Sequence, residues 1–320
     1  MNFKPNRELL DQLLADARIT GPQLEARVAQ AMDVAYWRSL VPDLHVESAW
    51  SAPRTADVDG EAIAAAARDV RDEGYFHLPG AVPLEHARLI DTAIDRVKAA
   101  GWPAPFVFVY DELWQCVRTP AVRVMLDAIL GPGCLQIRHV STHVVDPVVG
   151  AGGWGPHVDG MERTSGGRLT VWIGITAANL SNGCIHVIPH CADEAQAELA
   201  ARFRLKASEF SRNEILTLLH ATRAIETEPG DALGWGFDLI HWGGMVRRAG
   251  QPRRALSFEF ISSDAKPGEA DEPLTSMETL PPFRERLQSV ADSIVAYRKH
   301  EPLARRFEGV AAEMSARLRA

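Results

Sequence analysis

The chain has 320 residues and a formal net charge of −8; this length suits one large domain or two ordinary ones, and an acidic balance without a long basic run excludes nucleic acid as the main partner, because phosphate binding needs clustered Lys and Arg. Apolar residues make up 46% and charged residues 24%, which is enough to bury a core, and no stretch of about 18 apolar residues is present to span a membrane. The four cysteines, Cys116, Cys134, Cys184 and Cys191, form no CxxC pair and no zinc spacing, so reduced thiols in a cytoplasmic protein are expected.

In chain order, residues 6–46 are predicted to be helical, and their charges sit where a signal peptide would need an apolar core. Leu10, Leu13, Leu14 and Ala17 recur at helical spacing, Gly21-Pro22 breaks the run, and Leu24, Val28, Met32 and Ala35 begin a second one. The stretch from Ser48 to Gly60 is rich in small and turn-forming residues and reads as a linker. A helix over Glu61–Arg71 follows, then a strand over Tyr75–Leu78 that ends in Pro79-Gly80. A helix over 84–99 and helical stretches within 111–131 come next.

After Gly133 the pattern changes. Residues 134–146, 168–178, 184–188, 223–228, 232–236 and 254–261 are β-prone, with Gly, Pro, Asn and Asp between them. Short strands with turn punctuation predict a sandwich or small barrel rather than a parallel sheet. Neither GxGxxG after a strand nor GxxxxGK occurs, so a nucleotide-binding fold is not supported. The chain then returns to helix: Leu287, Val290, Ile294 and Tyr297 mark one apolar face, and Leu303, Phe307, Val310 and Met314 another. The expected architecture is α+β in a single domain. It comprises a helical arm (1–60), a helical support (61–133), a strand-rich core (134–262) and C-terminal helices (263–320). The amphipathic end segments would cap the core, form a lid or join two copies into a homodimer, with packing as the default role.

The segment Gly153-Trp-Gly-Pro-His-Val-Asp-Gly160 places His157 and Asp159 two residues apart. In extended chain, residues i and i+2 share a face, so an imidazole and a carboxylate can meet one metal ion. With eleven histidines in the chain, such a pair alone is weak evidence. A third ligand is available downstream, where Pro229-Gly230-Asp231 opens a β-prone run and His241 ends the next, followed by Gly243-Gly244. Two His and one carboxylate on one face of an iron leave open positions, as Fe(II) oxygenases require. The keto acid 2-oxoglutarate can take two of them and O2 the third. Its far carboxylate then needs a fixed cation, which the planar fork of arginine supplies better than lysine. Arg253 and Arg254, at the start of the next strand, fall on opposite faces by alternation.

These blocks resemble the phytanoyl-CoA dioxygenase family. The similarity lies in DEGYFHLPGAVPLEHARLI (72–90), in LTVWIGITAANLSNGCIHVIP (169–189), and in the run from the Gly-Asp turn through His241 to Arg253, so it covers about 60 to 262. It implies a double-stranded β-helix, a cupin-like jelly roll flanked by N- and C-terminal helices. It also implies iron held by His157, Asp159 and His241, and 2-oxoglutarate paired with Arg253. Trp172 matches a tryptophan beside the co-substrate in relatives, and Thr142 falls where relatives have another co-substrate contact. Relatives usually read Pro-Gly-Ser-His after the strand at 184–188, whereas this chain has Pro189-His190-Cys191-Ala192, which bears on the local loop. Halogenating relatives replace the carboxylate with a small residue; Asp159 therefore implies hydroxylation or another hydrogen-abstraction outcome.

The plainer alternatives are a chance His-Asp pair with a core histidine, and Trp172 as simple core. His143, His186 and His190 are expected to be structural; Trp154, Trp235 and Trp242 are candidates to line a substrate pocket, with packing as the default. Alternation puts Arg138 on the face of Thr142 and Arg168 on the face of Trp172. If those faces line the barrel, two guanidinium groups border the iron site and an anionic substrate follows, because a buried cation needs a partner; the alternative is pairing with nearby Asp or Glu. The function expected is Fe(II)- and 2-oxoglutarate-dependent oxidation of an aliphatic C–H in a small metabolite, releasing succinate and CO2. Its rivals are a jelly-roll metal enzyme that does not use 2-oxoglutarate and a non-catalytic small-molecule-binding relative. No membrane partner is expected.

Overall fold

The computed structural model describes residues 18–47, 59–160, 167–190, 198–202, 210–264, 273–298 and 302–320. The helix expected over 10–17 and most of the linker after Ser48 lie outside the described residues, as does Cys191. Cys116, Cys134 and Cys184 are free and buried.

Helix α1 spans Gly21–Ala31 and α2 spans Val34–Leu40. Gly21-Pro22 opens α1, which fits proline's tolerance of a first helical turn that has no use for its missing N–H. Helix α3 (Gly60–Glu73) is capped by the Asp59 carboxylate, which accepts from Glu61 N at 3.1 Å, and is ended by Gly74 in a left-handed conformation. That glycine turns the chain into strand β1 (Tyr75–Leu78). Helix α4 (Leu84–Ala99) follows, then an unanticipated 3-10 turn over Ala104–Val109 whose residues from Pro105 onward are buried. The expected helical stretch resolves into α5 (Asp111–Gln115), a 3-10 turn over Cys116–Arg118, and α6 (Pro120–Leu130) capped by Thr119.

The remaining strands are β2 (Leu135–Val145), β3 (Arg168–Gly174), β4 (Ile185–Ile188), β5 (Arg223–Ile225), β6 (Ala232–Gly236), β7 (Ile240–Gly243), β8 (Arg253–Ile261) and β9 (Leu274–Ser276). Between β4 and β5 lies α7 (Arg212–Ala221), which was not expected; C-terminal to β9 are α8 (Phe283–Tyr297), α9 (Pro302–Arg306) and α10 (Glu308–Arg319). One antiparallel sheet has the order β1-β6-β3-β8-β2-β9 and a second the order β5-β4-β7. The predicted strand over 168–178 splits at Gly174. Ile175 N reaches Arg254 O, and Ala178 then bridges Thr227, so the chain turns the corner from one sheet to the other.

Alternation on the large sheet divides two cores. Val140, Leu169, Val171, Leu256, Phe258 and Phe260 pack under the helices. Trp172, Leu233, Trp235 and Ala255 point the other way and join Ile185 and Val187 of the small sheet in a second cluster. Two antiparallel sheets closing on a shared interior, with helices at both ends of the chain against the outer face, form a jelly roll. The same alternation leaves Arg253, Ser257 and Glu259 facing the interior.

Helix α8 matters to the site because its last residue reaches the interior. It is held by the buried Arg286–Asp111 ion pair, and the Arg286 guanidinium also donates to Pro281 O at 2.7 Å and Val109 O at 3.1 Å. A buried pair of this kind fixes geometry more than it adds stability. Among the described residues no helix is long and apolar enough to cross a membrane.

Candidate metal centre

His157 lies on the segment after β2, and His241 on β7. The two are joined by reciprocal backbone hydrogen bonds, His157 N to His241 O at 3.0 Å and His241 N to His157 O at 2.9 Å. This bridge lengthens the small sheet by one residue and sets the two imidazoles side by side, with ring centroids 4.3 Å apart. Asp159, two residues on, joins them: its Oδ1 lies 3.7 Å from His157 Nε2 and 3.5 Å from His241 Nε2. One ligand atom from each of the three falls within 4.8 Å of the others, and among the described residues this is the group of His, Cys, Asp and Glu side chains placed to hold a metal ion.

The surrounding hydrogen bonds select the ligating atoms. His157 Nδ1 faces Gly155 O at 2.7 Å and His241 Nδ1 faces Leu239 O at 3.1 Å. A carbonyl accepts only from N–H, so the proton of each ring sits on Nδ1 and the Nε2 lone pair is presented to the shared centre. Asp159 Oδ2 accepts from Thr170 Oγ1 at 2.7 Å and from Trp235 Nε1 at 2.8 Å, which leaves Oδ1 for the metal. Burial lowers the His241 pKa, with the nearby Asp159 charge opposing it; the neutral form that ligates is thereby favoured. Donors bonded to one ion at about 2.1 Å sit roughly 3–3.6 Å apart, close to the separations of Oδ1 from the two imidazoles. The donor set fits an iron ion.

Losing either partner of Oδ2 should loosen the carboxylate. Thr170→Val is expected to weaken divalent-metal binding by about tenfold or more, within the range typical of groups that orient a ligand. Equilibrium dialysis with Fe(II) under argon measures this, and unchanged affinity would show that Trp235 alone suffices.

Arg253 opens β8 and is 2% exposed. Burial lowers its pKa to about 10, so it remains cationic at neutral pH. No described residue offers its guanidinium a hydrogen bond or an ion pair, and Nε is buried without a partner. The head lies between two glycines. A Cβ on Gly153 would come within 2.7 Å of Arg253 Nη2 and 2.9 Å of Gly243 Cα, and one on Gly243 within 2.9 Å of the same Nη2; only glycine leaves room. Arg254 points the opposite way, to Asp91 at 2.7 Å and Asp95 at 2.5 Å on α4.

A cavity of about 320 Å³ joins the His-Asp-His group to Arg253. Trp172 lines it with a buried Nε1 that has no partner. Its β2 wall carries His139, Ser141 and His143, and its β8 wall Ser257 and Glu259. Burial and the neighbouring Arg253 charge depress the His143 pKa to about 3, so this imidazole is neutral beside the guanidinium. At the mouth, the Tyr297 hydroxyl from the end of α8 lies 2.8 Å from His139 Nε2. The Trp154 ring meets Tyr297 edge-on at 5.3 Å and His157 at 5.7 Å.

Three expected residues sit elsewhere. Thr142 shares the helix-facing side of β2 with Val140 and Val144 and does not line this cavity. Arg138 pairs with Glu285 of α8 at 2.9 Å. Arg168 is on the inner face of β3, but its guanidinium lies over the Phe237 ring at 5.4 Å, outside the cavity lining. The structure therefore does not bring Arg138 and Arg168 to the border of the triad cavity. In the other direction, Thr170, His139, Glu259 and Tyr297 are site residues absent from the expectations, while Trp154 and Trp235 take the pocket-lining alternative. Thr170 and Glu259 were accessible by counting two positions from Trp172 and six from Arg253 along their strands.

The phytanoyl-CoA dioxygenase (PhyH) family model matches residues 46–255. Among solved structures, the apo form of the non-heme monooxygenase ThoJ is similar at TM-score 0.53 and 14% identity, covering 78% of this chain and 99% of that one. The ThoJ nickel complex gives 0.51 and 17%, covering 75% and 99%. The epimerase SnoN in complex with Fe3+, alpha ketoglutarate and nogalamycin RO gives 0.50 and 15%, covering 68% and 95%. At these identities the likeness is one of fold. No curated protein sequence matches this chain.

Proposed function

Because the chain belongs to the phytanoyl-CoA dioxygenase family, we propose that it oxidises an aliphatic C–H bond of a small molecule, by hydroxylation in the simplest outcome, with release of succinate and CO2. Iron and 2-oxoglutarate are the cofactors of the family, and the donor set and the cavity fit both. When bound, they supply an oxidant able to take a hydrogen atom from unactivated carbon, as 2-oxoglutarate loses CO2.

The carrying observation is the buried, unpaired Arg253 guanidinium in the cavity that holds the His-Asp-His group. Isolated buried cations are costly, and a carboxylate accepting two parallel N–H bonds is the partner that this fork fits best. Arg253 thus anchors the far carboxylate of 2-oxoglutarate, and Trp172 forms the wall beside it. His157, Asp159 and His241 hold the iron through Nε2, Oδ1 and Nε2. Thr170 and Trp235 keep Asp159 from rotating. Trp154 and Tyr297 narrow the mouth and limit entry of water, and the positions of His139, Ser141, Ser257 and Glu259 offer polar contacts by which a substrate can be aimed at the metal. With Arg138 paired to Glu285 and Arg168 over Phe237, neither supports an anionic substrate.

The test has two stages. Anaerobic addition of 2-oxoglutarate to the Fe(II)-loaded protein should produce a visible charge-transfer band. In air, a substrate library read out by succinate release and product mass should then identify the oxidised carbon. A loaded protein that shows no band would instead be a jelly-roll metal enzyme that does not use 2-oxoglutarate, and a band with no turnover across the library would favour a binding protein.

A further inference from the structure

Arg253 borders a second cavity of about 710 Å³, which lies beyond the shared wall formed by His143, Gly153, Trp154, His157 and Arg253 itself. This second space is bounded by the C-terminal part of β2, the Gly152–Gly155 turn, Lys98 at the end of α4, Pro103 and Ala104 of the 3-10 turn, and Leu303 of α9. The charged side chains along it are Lys98, Arg253 and Asp146. Lys98 and Asp146 pair with each other at 3.5 Å, which leaves Arg253 as the buried cation along this space without a partner.

From this geometry we infer that the second cavity is a port through which dicarboxylates reach and leave Arg253, separate from the mouth framed by Trp154 and Tyr297. The inference rests on the reading of Arg253 as the 2-oxoglutarate anchor. A five-carbon diacid fills only a small part of the space; with Lys98 offset by Asp146, the unpaired Arg253 supplies the positive field that draws a dianion inward. Of the residues that the two spaces share, Gly153 lies against the guanidinium and must stay small, because a Cβ there would come within 2.7 Å of Arg253 Nη2. With this route, the diacid product leaves without passing the His139–Tyr297 contact, and a substrate seated at the first mouth does not block it. Thr142 lines this second space rather than the first, so a co-substrate role for that position belongs to the approach and not to the metal.

A port and a binding contact differ kinetically. Narrowing a port slows entry and exit together and leaves affinity unchanged, whereas losing a contact speeds exit. The probe is 2-oxoglutarate, followed by the visible band in anaerobic stopped-flow with the Fe(II)-loaded full chain. Leu303→Trp, at an exposed position, narrows the opening; its association and dissociation rates should both fall about tenfold with Kd held within about twofold. Lys98→Glu replaces the pair with Asp146 by two carboxylates and should slow association more at low salt than at high salt. If the wild type gives the band and both variants bind and release at its rates, the port is wrong while the oxygenase reading stands. If the wild type gives no band, both fall. A faster exit in Leu303→Trp would make this surface a contact and would also overturn the port.

Discussion

Arg253→Ala is expected to weaken 2-oxoglutarate binding by about a hundredfold or more, corresponding to roughly 3 kcal/mol, because truncating one side of a buried charge pair leaves the other unmatched. Two further readouts separate this from a folding defect. The metal ligands do not touch Arg253 through any hydrogen bond, so Fe(II) affinity should be unchanged. The ligand-free protein carries a desolvated cation without a partner, so removing it should leave thermal stability equal or higher, the opposite of the usual core truncation. Arg253→Lys keeps the charge but loses the planar fork and should recover only part of the affinity. Arg254→Ala serves as the control: it breaks the pairs with Asp91 and Asp95 and should leave 2-oxoglutarate binding intact. Isothermal titration measures the affinities and a thermal melt the stability; wild-type affinity in Arg253→Ala would move the anchor elsewhere.

His241→Ala should abolish activity, with Fe(II) affinity reduced beyond about a hundredfold, the upper end of what the loss of an orienting group costs. The imidazole supplies Nε2, and no other described His, Cys, Asp or Glu is grouped with His157 and Asp159 to replace it. The backbone bonds between residues 157 and 241 do not involve either side chain, so the circular dichroism spectrum and sheet content should be retained. Metal analysis of the purified variant after loading gives the answer directly. Stoichiometric iron in His241→Ala would mean that the three side chains do not form the centre.

What could be read beforehand depended on how local the signal was. Strand β1 and helix α4 match the expected Tyr75–Leu78 and 84–99, because alternation and helical periodicity are written within a few residues. Strand β9 is three residues long and exists only through pairing with β2, so no local pattern announces it. Helix α7 has a legible start, a capping box formed by Ser211 and Glu214. The positions of Arg138 and Thr142 show a different limit. Alternation correctly puts them on one face, but which face looks inward is decided by the helices that cover the large sheet, and those cover the face of Val140 and Val144. For Arg253 and Arg254 the resemblance supplied that missing sense of direction. The partnership of Asp159 with Thr170 and Trp235 arises from three separate segments and is visible only once they are folded together.

The doubly bonded main-chain contact between His157 and His241 has a consequence for how the protein is loaded. The seat is stitched by peptide groups, so it is expected to keep its shape when a chelator removes the metal, unlike small domains that collapse without theirs. Recharging is then a simple docking event rather than a refolding one. The chain is therefore expected to accept a redox-silent substitute on the same three atoms after stripping.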